Sequence, residues 1–201
     1  MLERTTTESK RTLNDPRGLP KLGMNTENDP EGNIMSDLYA AEMSWMDEID
    51  PSNQEEFLIA VGKRDAETFN GTLGIRFTEQ TADRTVAEID ITPNLYQPFG
   101  FLHGGVTLAL IEAAGSRAVE LRADFSKERV FGVHMEIDHK KPGKFGTIRA
   151  IATFDRQEKN KQFWKIEVLD DEGDIVSEGT FITKIVSLER LAQKEAQRAQ
   201  K

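Results

Sequence analysis

Residues 97–119 read QPFGFLHGGVTLALIEAAGSRAV, and this stretch decides the fold. Pro98 and Gly100 turn the chain, and His103-Gly104-Gly105 lead into an apolar run of about four helical turns. One carboxylate, Glu112, interrupts that run among Leu108, Leu110, Ile111, Ala113 and Ala114. A helix with so little polar surface is usually buried. A lone buried charge is costly unless it is paired or hydrogen-bonded. The expectation is a buried central helix whose Glu112 has either a structural partner, such as a neighbouring Arg or Lys, or a function.

The segments on either side supply a frame for that helix. In 131–139, Phe131, Val133, Met135, Ile137 and His139 fall on one face, and His134, Glu136 and Asp138 on the other. Pro142-Gly143 marks a turn, and strands are predicted over 146–154, 162–169 and 175–186. The DDEGD at 170–174 is a hairpin signal, and the last three connections all read as short antiparallel hairpins. Upstream, a strand pair is predicted over 73–77 and 85–91, turning at 82–84. The fold class is α+β, an antiparallel sheet wrapped around one long central helix. Its open edges favour pairing with a second copy.

The ends read differently. Residues 1–33 are polar and cannot bury enough apolar area to offset ordering. Residues 34–50 hold Leu38, Tyr39, Met43, Trp45 and Met46, a candidate short amphipathic helix. Residues 54–63 read as a helix capped by Ser52 or Asn53, with Glu55 and Glu56 in its first turn. The resulting division is an extension over 1–69, partly disordered with short helices, a domain over 70–186, and a charged terminal helix over 187–201.

The 201 residues carry a net charge of -9. Residues 1–70 hold 15 acidic against 7 basic residues, and residues 71–201 hold 20 against 19, so the folded part is nearly neutral. No basic field marks a nucleic-acid partner. No apolar run reaches the roughly 18 residues of a membrane span. The absence of cysteine excludes disulfide and thiol chemistry. MLERTTTESK is not a secretory signal, so the cytoplasm is the default compartment. Three scattered histidines make no metal site, and no Rossmann or P-loop spacing occurs.

Several residues are candidates for chemistry. Glu112 is a nucleophile or general base, or else a helix-face carboxylate at an interface. The exposed N–H groups and dipole at the helix start favour negative charge at His103-Gly104-Gly105, where glycine admits close approach. That describes an oxyanion site or an ordinary turn. Gln97 offers an amide donor or is a surface polar group. His139 precedes Lys140, Lys141 and Lys144, forming either a pocket edge with a basic rim for phosphates or a solvated strand end. Ser116 shares a helix face with Glu112 and either positions a water or bonds its own helix carbonyl.

QPFGFLHGGVTLALIEAAGS, with GVHMEIDHKKPGK after it, resembles the central motif of hot-dog-fold acyl-CoA thioesterases. It is most similar to the PaaI-like branch related to the Arthrobacter-type 4-hydroxybenzoyl-CoA thioesterases, which includes the proofreading thioesterases of enterobactin synthesis. The resemblance covers about residues 70–186. It implies Glu112 as the catalytic carboxylate, as nucleophile or through water, and the Gly104 N–H as oxyanion donor. Gln97 and His103 would position the thioester, while Ser116, His139 and Gly105 would line the reacting group. Lys140, Lys141 and Lys144 are phosphate candidates by inference from their charge. The resemblance also implies a homodimer or homotetramer with active sites between subunits, and an acyl-CoA substrate whose CoA is not a retained cofactor. Two departures stand out: the long extension, and Lys140, where the nearest relatives carry a second histidine. A non-hydrolytic acyl-thioester binding module and a dehydratase are the alternatives on the same fold.

Overall fold

The computed structural model describes residues 53–199, so the helix expected within 34–50 lies outside the described residues. The described residues open with α1, Gln54–Asp65. The Asn53 side chain caps it, accepting from the Glu56 N–H at 3.4 Å. Phe57 and Val61, one turn apart, are fully buried. Where a turn into the first strand was expected, a short helix α2, Phe69–Leu73, intervenes. It ends at Gly74, whose φ of 76° is the left-handed conformation that glycine adopts without strain. The first strand therefore begins at Arg76, three residues later than the apolar pattern predicts.

Six strands follow: β1 Arg76–Gln80, β2 Arg84–Asp90, β3 Glu128–His139, β4 Thr147–Glu158, β5 Lys161–Leu169 and β6 Ile175–Ser187. The long helix α3, Gly104–Ala118, lies between β2 and β3 in the chain. The terminal helix α4 is Leu188–Ala199. All neighbouring strands are antiparallel, in the order β1-β2-β4-β5-β6-β3.

That order corrects one expectation. β4–β5 and β5–β6 are hairpins, but β3–β4 is not, because β3 pairs with β6 at the far edge while β4 pairs with β2. Residues 140–146 carry the chain across the intervening strands. Three strand spacings are about 14 Å, and seven extended residues reach roughly 23 Å. The crossing is pinned by its backbone: Lys140 N–H donates to the Val176 carbonyl at 2.8 Å, Leu102 N–H to Gly143 at 2.9 Å, and Ile91 N–H to Gly146 at 2.8 Å.

A second correction concerns β3. Its register against β6 shifts between Gly132 and His134, a bulge at Val133. Before the bulge Gly132 stands opposite buried Thr183; after it, Met135 stands opposite buried Phe181. An extra residue resets the two-residue side-chain period, so Phe131 does not share a face with Met135, Ile137 and His139. Phe131 and Val133 are exposed instead.

α3 lies against the sheet through Leu110, Ile111, Ala114 and Ala118, all fully buried, opposite Ile89, Ile148, Trp164 and Phe181. Its small residues allow the close approach: a Cβ on Gly115 would stand 2.3 Å from the Phe181 ring.

Candidate active site

The loop before α3 and the crossing at 140–146 meet at the N-terminus of the helix. His103 is the N-cap, in the extended region that a cap requires, and its Nδ1 accepts from the Gly105 N–H at 2.9 Å. The Gly105 N–H is thereby occupied. The Gly104 N–H, at the first helical position, has no intrahelical partner and none elsewhere among the described residues. It lies on an exposed glycine at the positive end of the helix.

Gln97 is anchored through its amide oxygen, which accepts from the Phe99 N–H at 2.7 Å. Its NH2 end is left to donate. His139 closes the other side: a Cβ on Gly104 would stand 3.4 Å from His139 Nε2. The other ring nitrogen, Nδ1, lies 2.9 Å from the Ser177 hydroxyl. Gln97, Leu102, Gly104, Thr107, His139 and Val176 line one cavity of about 350 Å3, to which Lys140 and Lys141 also contribute.

Glu112 is elsewhere. It is exposed, not buried as its apolar neighbours led us to expect. Leu108, Glu112 and Ser116 recur every four residues along a strip of α3 that the sheet leaves at least partly uncovered. The Ser116 hydroxyl donates to Glu112 Oε1 at 3.0 Å. The carboxylate also lies against β3, where a Cβ on Gly132 would stand 2.6 Å from Oε1. Gly132 is thus a seat for Glu112 that any side chain would fill.

The lysines are less available than the sequence implies. Lys140 is bound by Glu178 at 2.9 Å and Asp138 at 3.4 Å. Lys141 lies 2.6 Å from both Asp170 and Asp174. Hydrogen bonds to Glu178 and to Asp170 and Asp174, respectively, raise their pKa above the ordinary lysine value. A phosphate would have to compete with these carboxylates. Lys144 instead sits over the Phe101 ring, 5.2 Å from its centroid. Among the described residues, Asp170, Glu172 and Asp174 have carboxylates close enough to share a metal, but two of them are held by Lys141.

The structure therefore gathers Gln97, Gly104 and His139 at one place and Glu112 with Ser116 at another. Eight residues separate Gly104 from Glu112 on one straight helix, about 12 Å of rise. An oxyanion donor and a carboxylate that act on the same carbonyl each sit about 3 Å from the reacting group. These two cannot do so within one chain. Ser177 and Gly132 were not singled out in the sequence, because strand register brings Ser177 to His139 and the packing of α3 on β3 brings Gly132 to Glu112.

Residues 99–177 match the family model for the thioesterase superfamily. The chain is 32% identical over 120 residues to the Klebsiella pneumoniae proofreading thioesterase EntH, spanning 60% of this chain and 87% of that protein. It is 32% identical over 102 residues to the Listeria monocytogenes 1,4-dihydroxy-2-naphthoyl-CoA hydrolase, spanning 50% and 80%. A Bacillus subtilis relative is 40% identical over 80 residues, 40% of this chain, and there the chain spans only 64% of the relative's length. Among solved structures, a Staphylococcus aureus protein superposes with a TM-score of 0.58 at 26% identity, covering 60% of this chain and 100% of that one. The fold and the relatives together define a hot-dog thioester hydrolase. The chain belongs to the thioesterase superfamily.

Proposed function

We propose that the protein hydrolyses an acyl-CoA thioester at sites shared between two copies of the chain. The Gly104 N–H of one copy and Glu112 of the other act on the same carbonyl. The observation that carries this is the separation of the two groups along α3, beside a sheet edge that no strand among the described residues pairs. β3 ends the sheet with twelve residues of strand, and the surface around it exposes Phe131, Val133 and Leu108. A long edge strand with exposed apolar side chains is a template for pairing, and a second copy presents the same edge. Pairing there covers the apolar strip and brings Glu112 to a neighbouring chain.

The parts then have distinct tasks. The Gly104 N–H holds the thioester oxygen as negative charge develops, with the helix dipole behind it. Gln97, which lines the same cavity, polarises the carbonyl through its free NH2, and His103 holds the turn by capping the helix. Glu112 attacks the carbonyl carbon and expels CoA thiolate, leaving an anhydride that water opens, or it takes a proton from the attacking water. Ser116 fixes one carboxylate oxygen and leaves the other for this step. CoA enters as part of the substrate and leaves as product.

The Staphylococcus aureus protein supports this reading of the two residues. Its solved variants replace a glutamine and a glutamate fifteen positions apart, the spacing of Gln97 and Glu112 here. The naphthoyl-CoA hydrolase among the relatives makes aromatic CoA thioesters a first choice of substrate, beside short and medium acyl chains.

Release of free CoA from at least one member of such a panel is the expected result. Tight binding of acyl-CoA without turnover of any member would instead make the protein a binding module. Site sharing has its own test. Glu112→Ala and Gly104→Pro chains, each inactive alone, should regain activity when unfolded together and refolded as mixed dimers. One site per mixed dimer is intact, so an equal mixture recovers about a quarter of the wild-type activity. A mixture that stays as inactive as its components places both groups of each site on one chain.

A further inference from the structure

Ser177 lies on β6 directly opposite His139 of β3. It is fully buried, and its Oγ is 2.9 Å from His139 Nδ1. Serine can donate or accept, so the distance alone leaves the imidazole tautomer open. Burial closes the choice. No second acceptor for the Ser177 hydroxyl occurs in the hydrogen bonds of the described residues, and buried hydroxyl protons are almost always donated. Nδ1 can receive that proton only if the ring carries its own on Nε2. That nitrogen faces Gly104, at 3.4 Å from its Cβ position, inside the cavity that both residues line.

We infer that Ser177 is a positioning residue that holds His139 as the Nε2–H tautomer, making it a further hydrogen-bond donor to the carbonyl oxygen at the Gly104 N–H. The inference rests on the thioesterase reading above. In the other tautomer Nε2 presents a lone pair to an oxygen that becomes negative in the transition state. The Ser177 hydroxyl removes that state, in the way that the second partner of a histidine commonly sets which nitrogen is protonated. A buried serine thus acts at the site without touching substrate.

The test joins imidazole 15N spectra with kinetics on the full chain. At about pH 8, His139 of the wild type shows a protonated Nε2 and an unprotonated Nδ1. Ser177→Ala gives a spectrum averaged between tautomers, and kcat falls in proportion to the Nε2–H population that remains, about twofold for an even mixture, with KM unchanged. Ser177→Cys keeps a weak donor in the same place and falls between the two. A wild-type His139 protonated on Nδ1 overturns the inference, and so does a Ser177→Ala protein with unchanged tautomer and unchanged kcat. The wild-type spectrum decides alone if the alanine variant does not fold. Failure of the thioesterase reading looks different: no thioester is turned over, or Glu112→Ala keeps full activity, whatever the spectra show.

Discussion

Replacing Glu112 by alanine lowers kcat by at least about a thousandfold while the protein keeps its wild-type mass in solution, an effect of about 4 kcal/mol on the transition state. The size follows from what is removed. Without the carboxylate neither the covalent route nor the water-assisted route has its base or nucleophile, and the residual rate comes from the oxyanion donors and binding alone. The fold tolerates the change. Glu112 is exposed in the single chain, its hydrogen bond is to Ser116 on the same helix, and alanine is the best helix former. Glu112→Gln keeps the shape and the Ser116 contact but cannot attack or take a proton, so it should lose about as much. KM within a few-fold of wild type would show that binding survives. Turnover within tenfold of wild type in either variant would remove Glu112 from the chemistry. The same enzyme separates the two routes: in a single turnover in 18O-water, direct attack by water labels the product acid. A nucleophilic Glu112 leaves the label in the protein when water opens the anhydride at the Glu112 side.

The helix was readable because its signals are local. The turn residues, the His103-Gly104-Gly105 start and the apolar run all lie within 97–119, and each acts on its immediate neighbours. The sheet strands were readable by alternation for the same reason. What failed depended on distant partners. The 140–146 stretch has the Pro and Gly of a hairpin, yet crosses to another part of the sheet, since turn chemistry fixes a bend and not a destination. The Val133 bulge was hidden because Phe131, Val133, Met135 and Ile137 suit a single face on paper, and only pairing with β6 reveals the extra residue. Glu112 looked buried because its sequence neighbours are apolar. Leu108, Glu112 and Ser116 in fact form a strip that the chain's own sheet leaves at least partly uncovered, so the unusual carboxylate is not a buried charge within the chain, and under the proposed function this strip faces a second copy. Gln97, Gly104 and His139 could be named from the sequence, but their meeting in one cavity required the crossing.

Arg117→Ala should destabilise the protein by about 3–5 kcal/mol, the range for removing one partner of a buried ion pair. Arg117 leaves the last turn of α3 almost fully buried, 4% exposed, and its guanidinium is held on three sides. It pairs with Asp65 at the end of α1, binds both oxygens of Glu120 at 3.0 Å, and stacks over Phe77 of β1 at 4.7 Å. Arg117 therefore ties the first helix to the central one. Its removal leaves the Asp65 carboxylate buried with, among the described residues, Asn70 and Arg64 beside it. Lysine is no substitute, because one ammonium cannot supply the forked contacts, and Arg117→Lys should recover less than half of the loss. The pH dependence gives the prediction a second edge. Burial alone would raise the Asp65 pKa, but the charge and hydrogen bond of Arg117, with Asn70 and Arg64, outweigh it and hold the carboxyl below its ordinary value. A carboxyl whose folded pKa is depressed stabilises fully above its unfolded pKa of about 3.9 and loses that contribution as pH falls through the folded value. Denaturant titrations should show a constant difference between wild type and Arg117→Ala from about pH 5 to pH 8, narrowing below about pH 4 as Asp65 is protonated in both states. A difference under about 1 kcal/mol at neutral pH would mean that Arg64 and Asn70 satisfy Asp65 without Arg117. The first helix would then be held by Phe57 and Val61, both fully buried, and not by the ion pair.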